Sequence, residues 1–277
     1  MNSVTETDQV WQAAYANQQQ LIGAYHEHIH PWYIQGFQRL SLSPHELPDK
    51  AALDAALRPF GWEVVLVDGI IHSREFAALI AEQRFPVAAN VRTLSQLEHS
   101  PAPDAIHDIL GHLPFLCSPA YCAYLRNAAL AFARCPLDRI ELEYFSARKT
   151  YGDLTAASAS ADQIAQAEHE VARLSRMLAG ADSLIAQVNR LFLWSIEFGV
   201  LQTPEQRIML SGAAILSSRR EVTRVLREQH RYVPYTSAAA QVDINYTEPQ
   251  SIYFVAPSFD SYQSVLEQVM QPEQVAA

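Results

Sequence analysis

The sequence predicts a mainly α-helical protein with a few short β-strands. Several segments repeat apolar residues at the spacing of an amphipathic helix, whereas two short segments have the β-branched and aromatic character of strands. About half of the 277 residues are hydrophobic, which is enough for a substantial core. Although a chain of this length can form one or two domains, we expect a single catalytic domain over residues 1–277.

Four helices are predicted from apolar periodicity. The first runs from Asp8 to about Tyr25, and the second from Ser73 to Gln83. The third follows Ser160, which has the spacing of a capping box with Gln163. The fourth runs from Ser183 to Phe198. These segments account for the helical character of the prediction.

Two strands and one inserted segment complete the prediction. One strand covers Phe60 to Val67 and ends at the turn residues Asp68-Gly69, and the other covers Ser251 to Val255. The stretch from Leu137 to Asp182 differs in composition and contains the low-complexity run Thr155 to Ser160, which predicts a loop. We interpret residues 137–182 as an inserted loop-helix segment that leans on the body of the domain.

Charge and hydropathy exclude several classes of partner. The net charge of -10 argues against nucleic acid, because proteins that bind phosphate backbones present a basic face. The polar, acidic start from Met1 to Asp8 lacks the features of an export signal. No run approaches the about 20 apolar residues that span a bilayer. We therefore expect a cytoplasmic protein that does not associate with membranes and whose partners are small molecules or proteins.

Two groups of potential metal ligands are interpreted as structural. An odd number of cysteines without a paired metal-binding pattern predicts buried, reduced thiols. They are Cys117, Cys122 and Cys135. Three histidines at every second position have no companion carboxylate or cysteine pattern. We expect them to lie at the surface or to pack against neighbouring side chains. They are His26, His28 and His30.

Two other histidines and one carboxylate form a candidate metal site. His107 and His112 lie in the stretch from Pro103 to Pro114, and Glu197 follows far downstream. A 2-His-1-carboxylate set with open coordination positions is the usual protein site for non-haem Fe(II). A glutamate among aromatic residues is costly to bury unless it is paired or metal-bound. The alternatives are hydrogen-bonded structural histidines and an exposed or arginine-paired glutamate.

The spacing of the two histidines requires a break in regular helix. Five residues of continuous α-helix would rotate His107 and His112 about 140° apart, so they could not share one metal. Gly111 and Pro114 favour the end of a helix, which predicts that the chain turns after Leu110 and brings His112 back. The spacing also differs from the His-Glu-x-x-His motif of zinc proteases.

Motifs along most of the chain carry a resemblance to a known family. The strongest are Pro103-Asp104-x-x-His107-Asp108-x-x-Gly111-His112-x-Pro114, Glu197-Phe198-Gly199 and the stretch Ser211 to Ser218. Weaker matches are Gly61-Trp62, Phe85-Pro86 followed by Arg92, and Gln250 to Val255. The chain resembles the pterin-dependent aromatic amino acid hydroxylases, above all the short bacterial phenylalanine hydroxylases. This implies the catalytic-domain fold of that family, without its regulatory and tetramerisation domains, and a monomer.

The resemblance assigns roles to the metal and pterin residues. It implies that His107, His112 and Glu197 are iron ligands, and that Asp108 lies near the pterin and orients a ligand water. The implied pterin contacts are Phe76 by stacking and Ile71 and Ser73 through the backbone. A buried phenylalanine on an ordinary helix face is the alternative for Phe76.

The resemblance also assigns the substrate site. Arg92 falls where the family has the arginine that clamps the substrate α-carboxylate, a task that suits its planar fork. A surface salt bridge is the alternative for Arg92, and a helix or turn cap is the alternative for the two consecutive serines. The other implied substrate-site residues, which hold the amino acid or the iron ligands or form the pocket wall, are Ser100, Pro103, Leu193, Phe198, Ser217 and Ser218.

The implied activity is ring hydroxylation of a free aromatic amino acid, most directly phenylalanine to tyrosine. Fe(II) and tetrahydrobiopterin or a related tetrahydropterin are the implied cofactors, and O2 is the co-substrate. Leu193 replaces the usual tryptophan of the pocket wall, so phenylalanine 3-hydroxylation or tryptophan 5-hydroxylation are alternatives. Further departures are Ser211, Ala214 and His99. A non-catalytic aromatic amino acid binding protein and a zinc hydrolase are alternatives of other classes.

Overall fold

Helices surround two small sheets in the computed structural model. It describes residues 5–68, 71–97, 104–137, 139–156, 159–178, 183–227, 231–245 and 250–271. The helices within these ranges are α1 (Glu6–Tyr25), α2 (Pro31–Leu40), α3 (Lys50–Leu57), α4 (Ser73–Ala81), α5 (Ala105–His107), α6 (Pro119–Arg134), α7 (Arg139–Ala156), α8 (Ala161–Leu178), α9 (Leu184–Phe192), α10 (Ala213–Leu216), α11 (Arg219–Arg227) and α12 (Phe259–Met270). The strands are β1 (Glu63–Val67), β2 (Arg84–Ala88), β3 (Val200–Gln202), β4 (Ile208–Leu210), β5 (Arg231–Pro234) and β6 (Ile252–Ala256). The predicted mainly helical class is confirmed.

A parallel pair of strands lies beside the site. β1 and β2 pair from Glu63–Arg84 to Val67–Ala88, and α4 forms the crossover between them. β1 starts later than predicted because a short 3-10 turn, which Gly61 ends with a φ of 78°, precedes it. β2 was not predicted, since it contains Pro86, which has no N–H for a sheet. A two-stranded sheet tolerates the proline because β2 has an open edge.

A second sheet has four strands in the order β4-β3-β6-β5. β3 runs antiparallel to β4 and parallel to β6, and β6 runs parallel to β5. The predicted strand near the C-terminus is therefore confirmed as β6. Large, almost fully buried side chains belong to one hydrophobic core. They include Trp11, Tyr33, Phe115, Tyr121, Trp194, Tyr253, Phe254 and Tyr262.

The inserted segment is a pair of long helices, α7 and α8. The predicted capping box is confirmed, since the Gln163 N–H lies 3.4 Å from the Ser160 hydroxyl and the Gln163 side chain accepts from the Ser160 N–H at 3.1 Å. The loop prediction from Thr155 is wrong at its start, because α7 continues to Ala156. The expected docking of the second helix on the body is also wrong, since α8 packs chiefly against α7 with Leu174 as its buried residue.

The residues that we interpreted as structural have that role. All three cysteines are free thiols, and burial raises the pKa of Cys117 to about 12. His30 packs against Trp32 and Phe259, and its Nδ1 accepts the Trp32 N–H at 3.2 Å. None of the helices in the described ranges is long and apolar enough to cross a membrane.

Candidate active site

The two histidines are brought together by a single π-helical turn. α5 ends at His107 and continues into a π-turn over Asp108–His112, in which the Leu113 N–H donates to the Asp108 carbonyl. A π-turn pairs residues five apart, so it places His107 and His112 on the same side of the chain. Their ring centroids are 5.0 Å apart. The predicted reversal of the chain after Leu110 is wrong. The helix continues as a wider turn, which brings the two histidines together without a reversal.

Gly111 allows the π-turn to pack closely against a neighbouring element and does not end a helix. Within the described ranges, Gly61 is the glycine with a positive φ, so Gly111 does not adopt the left-handed conformation. A Cβ at position 111 would lie 2.9 Å from the carbonyl oxygen of Ala213, the first residue of α10. The absence of a side chain therefore lets the π-turn contact the backbone of α10.

A second π-turn presents the carboxylate. α9 continues into a π-turn over Leu193–Glu197, closed by the Phe198 N–H donating to the Leu193 carbonyl at 2.9 Å. Such a turn leaves carbonyls of the preceding helix without their usual partners. The Ser195 hydroxyl lies 2.8 Å from the Leu191 carbonyl and 3.1 Å from the Phe192 carbonyl, so its one O–H can donate to either group. Ser195 thus fixes the turn that carries Glu197.

Buried tyrosines reinforce this second turn. A 2.7 Å hydrogen bond joins the Tyr124 hydroxyl to Ser195, and the Tyr235 hydroxyl donates to the Leu191 carbonyl at 3.0 Å. Ser195 is fully buried, and Tyr124 and Tyr235 are almost fully buried. Sequence reasoning missed these residues, because a serine after a tryptophan in a helix carries no signal of a π-turn.

The three candidate ligands converge. His112 Nε2 lies 3.0 Å from Glu197 Oε1, and His107 Nε2 lies 3.4 Å from Glu197 Oε2. One ligand atom from each residue lies within 4.8 Å of the other two. Two imidazole nitrogens and a carboxylate are a donor set that suits Fe(II), and all three side chains are largely buried. The residues present therefore fit a mononuclear metal ion.

Electrostatics keep the carboxylate ionised. Burial alone would raise the pKa of Glu197, but His112 and His107 outweigh it and hold that pKa well below its ordinary value. Burial likewise opposes protonation of His107, and the neighbouring Glu197 carboxylate overcomes this and raises the pKa of His107. A buried anion facing two imidazoles is an environment in which a metal cation replaces protons.

Neighbouring groups orient the histidines. A 3.0 Å hydrogen bond joins His107 Nδ1 to the Ser217 hydroxyl, which leaves Nε2 directed at Glu197. Asp108 accepts the Ala88 N–H of β2 at 2.7 Å, and burial raises its pKa. His112 Nδ1 is buried and has no hydrogen-bond partner among the described residues. Ser217 therefore contacts His107, one of the three candidate metal ligands.

Arg92 is a buried residue held by Asp104. Its Nη2 lies 2.6 Å from Asp104 Oδ1, its Nε lies 3.0 Å from Oδ2, and its Nη1 donates to the Leu97 carbonyl. A guanidinium has five N–H groups. Within the described ranges, one N–H on each terminal nitrogen is left over for another partner. The alternative of a surface salt bridge is wrong, because the side chain of Arg92 is only 5% exposed.

Asp104 also caps the helix of the first histidine. Its carboxylate accepts the His107 N–H at 3.1 Å as well as the Arg92 N–H at 2.7 Å. One aspartate therefore joins the candidate carboxylate clamp to the candidate metal ligand. Sequence reasoning quoted Asp104 in a motif without giving it a role, although Asp-x-x-His before an apolar run is a capping pattern.

The predicted pterin residues lie at the start of α4. Ile71 and Ser73 are partly buried, and Phe76 packs edge-on against Phe192 with ring centroids 5.5 Å apart. Phe192 directly precedes the π-turn of Glu197, so this contact joins α4 to the turn that carries Glu197. The Ser73 hydroxyl is buried without a partner in the described part of the chain. An aromatic ring and an unpaired hydroxyl are groups that fit a polar heterocycle.

The remaining predicted substrate residues divide into three groups. Leu193 and Phe198 are partly buried at the two ends of the Glu197 turn. Ser218 accepts the Glu221 N–H at 3.3 Å and caps α11, as the alternative interpretation had it. Ser100 and Pro103 lie outside the described residues.

Fold and site together define a mainly helical protein with a mononuclear 2-His-1-carboxylate metal site. The sequence profile of the biopterin-dependent aromatic amino acid hydroxylases matches residues 2–143 and 156–273. The chain belongs to this family. Residues 144–155, which lie within α7, are outside the match.

Individual relatives agree with the family. The phenylalanine-4-hydroxylase of Mesorhizobium japonicum is 25% identical over 86% of this chain and 71% of its own length. That of Ralstonia nicotianae is 26% identical over 82% of this chain and 59% of its own length. The crystal structure of Chromobacterium violaceum phenylalanine hydroxylase with iron(III) and 7,8-dihydrobiopterin has a TM-score of 0.74 and 22% identity. The alignment covers 100% of this chain and 84% of the Chromobacterium violaceum chain, which establishes the shared fold.

Proposed function

We propose that this protein is an iron(II)- and tetrahydropterin-dependent monooxygenase that converts phenylalanine to tyrosine. The observation that carries the proposal is the convergence of His107, His112 and Glu197, from two π-turns, in a chain of this family. The relatives at 25 and 26% identity are named for phenylalanine 4-hydroxylation, which supports the choice of substrate. The protein is expected to work as a cytoplasmic monomer.

The metal would be held by the Nε2 atoms of His107 and His112 and by the Glu197 carboxylate. When bound, iron and the reduced pterin supply the electrons that activate O2 for insertion of one oxygen atom into the ring. The carboxylate offsets the charge of the metal, and Ser217 keeps the His107 ring oriented. Asp108, whose carboxylate accepts the Ala88 N–H of β2, would orient a water beside the pterin.

Arg92 would bind the α-carboxylate of the amino acid. Its two remaining N–H groups, one on each terminal nitrogen, have the fork geometry that carboxylates accept. The pairing with Asp104 fixes the plane of the guanidinium before substrate arrives. The aromatic ring would then lie near Leu193 and Phe198, while Phe76 stacks on the pterin.

The test is product identification with purified protein reconstituted with Fe(II). Protein, tetrahydrobiopterin and O2 are incubated separately with phenylalanine, tyrosine and tryptophan, and products are identified by mass spectrometry and NMR. We expect para-tyrosine from phenylalanine and no product from His107→Ala. Consumption of tryptophan alone, or meta-tyrosine as the product, would overturn the substrate assignment. Zinc-dependent hydrolysis without any pterin requirement would overturn the reaction class.

A further inference from the structure

The α7–α8 hairpin is joined to the body at its base. Glu141, near the start of α7, is 4% exposed, and its carboxylate accepts a hydrogen bond from the Ser183 hydroxyl that caps α9. Phe145, one turn further along α7, packs against the hydrophobic core. Beyond this base, a cleft of about 450 Å³ lies between the two helices. The first part of α7 therefore joins the hairpin to the body.

Phe145 packs against His72, the residue that directly precedes α4. Their ring centroids are 4.1 Å apart, at an interplanar angle of 57°. His72 is the N-cap of α4, and its Nδ1 accepts the Arg74 N–H at 3.0 Å. Burial lowers the pKa of His72, which favours the neutral ring that can accept this bond. The position of the His72 ring thus fixes the first turn of α4.

The residues assigned to the pterin lie in or next to that first turn. Ile71 and Ser73 flank His72 in sequence, and Phe76 follows one turn later. Both the Ser73 hydroxyl and His72 Nε2 are buried polar atoms without a hydrogen-bond partner among the described residues. Arg74 provides a second anchor by donating to the Cys135 carbonyl at the end of α6. Phe145 is the support of this turn that belongs to the hairpin.

We propose that the α7–α8 hairpin forms part of the pterin site, with Phe145 as the positioning residue that holds His72 and the first turn of α4. Phe145 lies within residues 144–155, which the family profile does not match, so this support is a feature of the chain beyond the shared family pattern. The proposal rests on the proposed function, since it takes α4 to be the pterin-binding helix. It makes the inserted segment a determinant of cofactor affinity.

The experiment measures pterin binding separately from amino acid binding. Iron-loaded wild type and Phe145→Ala are titrated by calorimetry with 7,8-dihydrobiopterin and, separately, with phenylalanine. We expect Phe145→Ala to weaken dihydrobiopterin binding about tenfold while phenylalanine affinity and iron content stay within about twofold of wild type. The KM for tetrahydrobiopterin should rise with little change in kcat. Phe145→Tyr, which keeps an aromatic ring, should restore binding.

Leu142→Ala is the matched control, because Leu142 lies on the same helix and is 51% exposed. It should leave pterin binding unchanged. Unchanged dihydrobiopterin binding in Phe145→Ala would overturn the hairpin proposal alone, and so would an equal loss of pterin and phenylalanine binding. Wild-type protein that binds no dihydrobiopterin would instead overturn the proposed function, so the two failures are distinguishable.

Discussion

Replacement of Gly111 by alanine tests whether close backbone packing holds the first π-turn. The added Cβ would lie 2.9 Å from the Ala213 carbonyl oxygen and 3.2 Å from the Ala213 Cβ. The carbonyl cannot turn aside freely, because it accepts the Ser217 N–H at 2.9 Å. Either α10 or the π-turn must move. Since Ser217 binds His107, this movement reaches the metal ligand.

The expected cost follows from two opposing effects. Overpacking of this kind costs about 1–3 kcal/mol. Alanine is favoured over glycine in a helix interior by about 1 kcal/mol. Gly23→Ala in α1 supplies the reference, since a Cβ at Gly23 would have no neighbour within 4 Å. The helix preference cancels between the two variants, so Gly111→Ala should be less stable than Gly23→Ala by the steric cost of about 1–3 kcal/mol.

The assay is urea unfolding of metal-free protein, followed by Fe(II) titration of the folded variants. We expect the free energy of unfolding to fall in Gly111→Ala and to rise slightly in Gly23→Ala. The affinity for Fe(II) should drop about tenfold in Gly111→Ala alone, since the ligand turn is displaced. Equal stability of the two variants with wild-type Fe(II) affinity in both would refute the packing argument.

Three further predictions concern the supports of the site and one histidine outside it. Ser195→Ala should cost about 2 kcal/mol and weaken Fe(II) binding, because it removes the hydrogen bond of the buried Tyr124 hydroxyl and a donor to the carbonyls at the start of the turn. Ser195→Thr, which keeps the hydroxyl, should retain both properties in unfolding and metal titrations. Asp104→Asn should destabilise the fold by about 3 kcal/mol and raise the KM for phenylalanine, because the charge of Arg92 loses its partner. The folded-state pKa of His30 is about 4, below the unfolded value of about 6.5, so its stabilising effect is present above pH 6.5 and is lost toward pH 4. In urea unfolding, His30→Asn should remove about 3 kcal/mol of this pH dependence, and parallel profiles for both proteins would contradict the assignment.

Four of the twelve helices in the described ranges, α1, α4, α8 and α9, were predictable because apolar periodicity and caps act locally. α1 and α4 begin within two residues of the predicted starts, and the capping box at Ser160 is present. β2 escaped prediction because its proline signals a break, and only the pairing with β1 makes an extended chain favourable there. The helix over α7 escaped because its periodicity is weak and most of its packing comes from α8.

The candidate site was predictable in its residue types but not in its backbone geometry. Two histidines five residues apart were correctly grouped with Glu197, although the structural reason was wrong. Gly and Pro are strong helix-ending signals, so a reversal was the natural inference from Gly111 and Pro114. The actual π-turn depends on tertiary contacts with α10, which no local pattern contains. Ser195 escaped for the same reason, since its role arises from hydrogen bonds to carbonyls at the start of the wide turn and to Tyr124 on another helix.

One short element connects both ligand-bearing turns. Ala213 at the start of α10 lies against Gly111, and a Cβ on the preceding Gly212 would lie 2.3 Å from the Glu197 carbonyl oxygen. At the other end of α10, Ser217 hydrogen-bonds His107. The sequence Gly212 to Ser217 therefore touches both π-turns through backbone contacts that leave no space for larger residues. Because the ligands come from turns 80 or more residues apart, this shared contact helps to set their separation. The geometry of the candidate metal site therefore depends on α10 as well as on the three ligands.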